Sequence, residues 1–189
     1  MPPAVGAGRA PVPLDRRSRA LVGLVAVVVA VALPALMRSV GIASDQVSLA
    51  VQGGLVIIVG LVAGPVTGVL AGAAMAVVGF GLTGSPTDYL VPFVAMELAG
   101  SGLVAGLLAR RPLFPLAGVL LAQAGGRLAR LVAVAIAADG FSEVTVAIGE
   151  GWESVRGGLV AIMLQWLLVP PIVLWLRGWA ASREAPERA

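Results

Sequence analysis

The sequence predicts an all-α membrane protein, a six-transmembrane-helix bundle with both termini in the cytoplasm. Hydrophobic residues make up 59% of the 189 residues and charged residues make up 12%, about half the charged share of an average soluble domain. The mean hydropathy is +0.99, and long apolar segments separate the charges. The arginines are also divided unequally between the two ends of these segments.

Six segments approach the roughly 20 apolar residues that a helix needs to cross a hydrocarbon core of about 30 Å. The second and third are joined almost without a linker at Gly64 and Pro65, and a proline in the first turn of a helix suits a tight reversal. The predicted spans are residues 20–37, 47–63, 65–82, 91–109, 113–138 and 157–176.

The arginines predict the orientation through the positive-inside rule. Nine of the thirteen precede span one, separate spans four and five, or follow span six. The opposite side has only Arg38 and Arg156, together with six acidic residues. This asymmetry predicts cytoplasmic termini and hence an even number of spans, so we expect a multi-pass protein of the plasma membrane.

The residue types that are missing exclude several kinds of chemistry. The chain has no lysine, histidine or cysteine. Without lysine it has neither a P-loop nor a Schiff base, and without histidine or cysteine it has no usual zinc site, Ser-His-Asp triad or thiol nucleophile. We expect no catalytic residues, no metal and no cofactor. The net charge is +3, and most of the charged residues flank the apolar spans. The expected partner is therefore the lipid bilayer and not nucleic acid.

Three ionisable side chains lie inside the predicted spans: Glu97 in span four, and Arg127 and Arg130 in span five. Each costs about 2.5–3.5 kcal/mol at a helix centre, so such residues mark candidate functional sites. At the helical rise, Glu97 and Arg127 both lie roughly 9 Å below the outer surface. Two interpretations stay open: an ion pair that holds two helices together while Arg130 reaches the interface, or a binding site for a small polar solute.

Further polar residues extend this candidate site. Gln123, Arg127 and Arg130 share one face of span five, while Gln52 and Gln165 lie in the outer halves of spans two and six. The inner half of the bundle is almost purely apolar, so the pattern predicts a cavity that opens to the outside. The predicted substrate-binding residues are Glu97, Arg127, Arg130, Gln123, Gln165, Trp166 and, in the loop after span three, Asp88 and Tyr89.

Small residues at four-residue spacing allow membrane helices to approach closely. Span one has such a pair in Ala26 and Ala30, which we predict to form a partner interface, with packing inside the bundle as the alternative. Span three has a longer series, predicted to pack inside the bundle: Gly64, Gly68, Gly72 and Ala76.

Three motifs carry a family resemblance over residues 47–135. They are G-P-x-x-G at 64–68, E-L-x-x-x-G-L-x-x-G-L-L at 97–108 and A-G-G-R at 124–127. The chain resembles the substrate-binding S components of energy-coupling factor (ECF) vitamin transporters. This resemblance implies a subunit without enzymatic activity that binds a small water-soluble vitamin or precursor, such as a carboxylate, near the outer face. It also implies partners, a transmembrane T component and two cytoplasmic ATPases, with Ala26 and Ala30 nearest to the family's T-component contacts.

The expected organisation is a disordered cytoplasmic tail over 1–17, the transmembrane substrate-binding domain over 18–180 and a second cytoplasmic tail over 181–189. Two other functions stay open. One is a structural or assembly membrane protein, for which the polar cavity has no explanation. The other is a lipid-modifying intramembrane enzyme with Glu97 as the base, which is disfavoured because one carboxylate and two arginines supply neither a metal cluster nor a nucleophile.

Overall fold

The computed structural model describes residues 14–41, 45–84, 90–109, 115–137 and 159–184, which form six helices and no strand. Each predicted apolar segment overlaps one of these helices over most of its length. The helices are α1 (Arg16–Ser39), α2 (Asp45–Ala63), α3 (Pro65–Thr83), α4 (Val91–Leu108), α5 (Pro115–Ala137) and α6 (Leu159–Glu184).

Four of the helices, α1, α3, α4 and α5, are long and apolar enough to cross a membrane. Two shorter apolar segments, Val47–Ala63 and Ile162–Leu176, lie within α2 and α6. Large apolar side chains cover the outside of the bundle; Val66, Leu82 and Leu167 are each about 70% exposed. Apolar area of this extent is unfavourable in water but suits a hydrocarbon surrounding. The chain is therefore membrane-embedded.

Both ends of the bundle extend beyond the predicted boundaries. The Asp15 carboxylate accepts a 3.0 Å hydrogen bond from the Ser18 backbone N–H, which caps α1 so that the helix begins inside the predicted 1–17 tail. Hydrogen bonds from Ser18 also lower the pKa of Asp15. At the other end α6 continues to Glu184, four residues into the predicted tail, because the next helix breaker is Pro186. Residues 1–13 and 185–189 lie outside the described part of the chain.

The reversal between α2 and α3 depends on one glycine. Gly64 has φ +95° and ψ 177°, a conformation that is essentially restricted to glycine, and Pro65 begins the next helix. Gly64 is thus part of the turn, and the predicted small-residue series of span three starts on the helix only at Gly68.

The centre of the bundle is formed by α2 and α4. Helix α4 packs against α2, α3 and α5, whereas α2 contacts all five other helices. The closest approach joins α3 to α4: a methyl group placed on Gly68 would stand 2.5 Å from the Gly102 carbonyl oxygen, and one placed on Gly72 would stand 2.6 Å from the Leu98 carbonyl oxygen. The small residues of α3 therefore act in internal packing, as predicted.

Ala26 and Ala30 correct one prediction. They are 8% and 0% exposed and belong to the hydrophobic core, because α1 turns its small residues toward α2 and α3. The neighbouring Gly23 has the same orientation, since a methyl group there would stand 2.9 Å from the Thr67 side chain. The pair consequently packs inside the bundle, which is the alternative that the sequence left open.

Candidate functional site

A cavity of about 370 Å³ opens between α2, α4, α5 and α6. It lies toward the end of the bundle where α2, α4 and α6 begin. Its lining residues fall within 49–57 of α2, 94–101 of α4, 120–130 of α5 and 159–166 of α6. Most of its wall is aliphatic, including Leu49, Ile57, Val94, Leu120 and Ile162. Its polar side chains are Glu97, Ser101, Gln123, Arg127, Arg130, Gln165 and, with its indole N–H, Trp166.

Glu97 forms ion pairs with both arginines of α5. Its Oε1 atom is 3.1 Å from Arg127 Nε, and its Oε2 atom is 3.1 Å from Arg130 Nη1. The side chains of Glu97 and Arg130 are each 19% exposed, and that of Arg127 is 34% exposed.

The ion pair between Glu97 and Arg127, which their equal depth predicted, is present. Arg130, which one interpretation directed to the interface, instead pairs with the same carboxylate.

Gly126 brings the arginines within reach of Glu97. A methyl group at Gly126 would stand 2.6 Å from the Glu97 carbonyl oxygen and would collide with Ser101 Oγ. Ser101 Oγ turns back along its own helix and donates a 3.0 Å hydrogen bond to the Glu97 carbonyl oxygen. Because neither residue has an outward-pointing bulky group at this crossing, α5 approaches α4 closely enough for one carboxylate to contact two guanidinium groups.

Two glutamines and a tryptophan form a hydrogen-bonded chain across the cavity. Gln123 Nε2 donates to Gln165 Oε1 at 2.6 Å, and Trp166 Nε1 donates to Gln123 Oε1 at 2.7 Å. Gln165 Nε2 donates in turn to the Ala50 carbonyl oxygen at 2.6 Å, close to Gly53. The chain connects α5 and α6 to α2, so the three predicted site residues bind one another as well as lining the cavity.

Two other expectations have a different outcome. Gln52 is 5% exposed and faces a small space between α1, α2 and α3, with Ser48 and Thr83 nearby. It lies on the other face of α2 from the cavity, and its Oε1 atom has no hydrogen-bond partner among the described residues.

Asp88 and Tyr89, predicted to bind substrate, lie outside the described residues, as does the segment 138–158 after α5.

No protein-family model, curated protein or solved structure matches this chain.

The charged side chains of the cavity lie together beside an apolar wall. In the described part of the chain, no group of three or more His, Cys, Asp or Glu side chains is arranged to hold a metal ion, and the carboxylate of Glu97 is engaged by two guanidinium groups. What the cavity offers is a cationic cluster against an apolar wall, an arrangement that orients an anionic group on a small molecule.

Sequence reasoning missed three contributors to the site. The Ala50 carbonyl accepts the Gln165 amide, a backbone role that leaves no mark on side-chain patterns. Gly53 permits that approach, because a methyl group there would stand 3.1 Å from Gln165 Nε2. Gly126 was part of the A-G-G-R motif, but its close approach to Glu97 and Ser101 was not predicted. Its place directly before Arg127 is the signal that predicts its role.

Proposed function

We propose that this chain is the substrate-binding membrane subunit of an ECF-type importer, as its family resemblance implies. It binds a small water-soluble vitamin or precursor and delivers it by reorienting against a T component that two cytoplasmic ATPases drive. The observation that carries the proposal is the cavity of about 370 Å³ with its Glu97–Arg127–Arg130 cluster. Its volume lies within the range of small-molecule sites, roughly 300–1,000 Å³.

The location of the charged cluster supports binding over a purely structural role. Burying two arginines and one carboxylate inside a bundle costs desolvation free energy. A single Glu–Arg pair would be sufficient to join α4 to α5. The cluster also faces an open cavity, with the Arg127 side chain 34% exposed. A structural or assembly protein has no need for such a cavity.

The proposed topology has six spans in the plasma membrane and both termini in the cytoplasm. Six helices are present in the described residues, and the arginines concentrate at the ends that this topology places inside. The cavity then lies toward the outer face, where a solute scavenged from the surroundings would enter. The chain itself would have no enzymatic activity.

Affinity purification of the tagged full-length chain from its native membranes tests the assignment to an importer. We expect two nucleotide-binding proteins and one further multi-span protein to co-purify in a mild detergent, and ATP hydrolysis to accompany the complex. A second tagged membrane protein of the same cells serves as the control for chance capture. Purification of the chain without any ATPase would contradict the importer assignment and favour a free-standing function.

A further inference from the structure

The charges around the cavity do not cancel. Three ionisable side chains line it in the described part of the chain: Glu97, Arg127 and Arg130. One negative and two positive charges leave a net charge of +1. Because the rest of the lining is mostly aliphatic and these side chains are only 19–34% exposed, solvent screens them only in part and an uncompensated charge is unfavourable. The net charge of the cavity lining therefore favours one negative charge on a ligand.

The guanidinium groups retain donors for that charge. Arg127 uses Nε toward Glu97, and Arg130 uses Nη1. No oxygen atom in the described part of the chain accepts a hydrogen bond from the two Nη atoms of Arg127, and its side chain is the most exposed of the three. Two adjacent Nη donors match the two oxygen atoms of a carboxylate in bidentate geometry.

The hydrogen-bonded chain of Gln123, Gln165 and Trp166 leaves few polar atoms available to a ligand. The oxygen and nitrogen atoms of Gln123 and Gln165 each already take part in one hydrogen bond, and the single N–H of Trp166 is also used. A ligand facing these residues thus meets groups that are largely satisfied, next to aliphatic side chains. Polar recognition is concentrated at the arginines.

On this basis we infer that the cavity selects a monoanion, a small molecule with one carboxylate at the arginines and a largely apolar body, and that Glu97 determines this charge selectivity. The inference rests on the proposed function as a binding subunit. Glu97 neutralises one arginine and leaves the other for the ligand. A dianion would carry one charge too many, and a neutral or cationic ligand would leave the cavity positively charged.

A set of charge variants tests the inference with benzoate, its neutral isostere benzamide and the dianion phthalate. Affinities are measured by calorimetry and thermal shift on the full-length chain in detergent. Wild type, with net charge +1, is expected to bind benzoate about tenfold more tightly than benzamide and more tightly than phthalate. Arg127→Gln, with net charge 0, should lose the preference for benzoate over benzamide. Glu97→Gln, with net charge +2, should prefer phthalate.

Two further variants separate cavity charge from residue identity and from folding defects. Glu97→Gln/Arg130→Gln restores a net charge of +1 and should restore the preference for benzoate, even if Glu97→Gln alone folds poorly. Arg38→Gln removes an arginine that pairs with Ser48 away from the cavity, and it should leave the wild-type order unchanged.

The outcomes distinguish this inference from the proposed function. Equal binding of benzoate and benzamide by wild type, or a double variant that does not prefer benzoate, overturns the charge rule while leaving a binding cavity. If none of the three probes binds any folded variant, the cavity is not a binding site for small carboxylates, and the inference fails together with the proposed site. Co-purification with ATPases, without any charge preference, leaves the importer assignment intact.

Discussion

Gly68→Ala is expected to lower the free energy of unfolding by about 3 kcal/mol, the upper end of the range for overpacking a well-packed core. The added methyl group would stand 2.5 Å from the Gly102 carbonyl oxygen and 2.8 Å from its carbonyl carbon. These are backbone atoms of α4, so no side chain can rotate away. Relief requires α3 and α4 to separate, which also disturbs the contact between Gly72 and Leu98.

Gly81→Ala on the same helix is the matched control. A methyl group there meets no atom within 4 Å, so the variant should be neutral or more stable by about 0.5–1 kcal/mol through helix propensity. Thermal and SDS-induced unfolding in detergent, followed by circular dichroism, compares the two. Equal stabilities of the two variants would show that α3 and α4 do not approach each other at Gly68.

Glu97→Leu is expected to cost about 3 kcal/mol, because it leaves two arginines inside the bundle without their carboxylate. This is the lower end of the range for breaking a buried ion pair, since the Glu97 side chain is 19% exposed and partly screened. Removal of all three charges, in Glu97→Leu/Arg127→Leu/Arg130→Leu, should cost less than the single substitution. The desolvation penalty of the arginines disappears together with their partner.

Unfolding of the single and triple variants in detergent, under the conditions used for Gly68→Ala, measures this difference. The triple variant should keep the helical content of wild type but lose binding of small carboxylates. Additive losses, with the triple variant much less stable than Glu97→Leu, would mean that the cluster stabilises the fold outright. In that case the free-energy cost of burying the three charges would no longer be a reason to assign the cluster to ligand binding.

The helices were largely predictable because hydrophobic length and helix-breaking residues act locally. Pro65 begins α3 as predicted. The main deviations are at the ends, where Asp15 caps α1 earlier and α6 continues to Glu184. A cap depends on one side-chain hydrogen bond, which composition and hydropathy do not register.

The candidate site was predictable only as far as depth and helix face determine it. The level of Glu97 and Arg127 followed from residue counts along the helices, and their ion pair is present. Arg130 was predicted as a site residue, but its ion pair with Glu97 was not, because that contact depends on how closely α5 approaches α4 at Gly126.

The sequence also did not predict how each helix is rotated about its axis, and hence which side chains face the cavity or the core. Gln52 was grouped with the outer polar residues, yet it faces away from the cavity. Ala26 and Ala30 were assigned to a partner interface, with packing inside the bundle as the alternative, and they face the core. In an almost uniformly apolar helix, polarity does not tell the lipid-facing side from the packed side, and small residues suit both.

Native mass spectrometry of the full-length chain, purified from its own cells, tests most directly the central claim that the cavity at Glu97, Arg127 and Arg130 binds a small solute. We expect a small molecule to co-purify with wild type, and to be absent from Arg127→Gln prepared in parallel. A wild-type protein that carries no small molecule and takes up none from a cell extract, or a molecule that Arg127→Gln retains equally well, would contradict the claim.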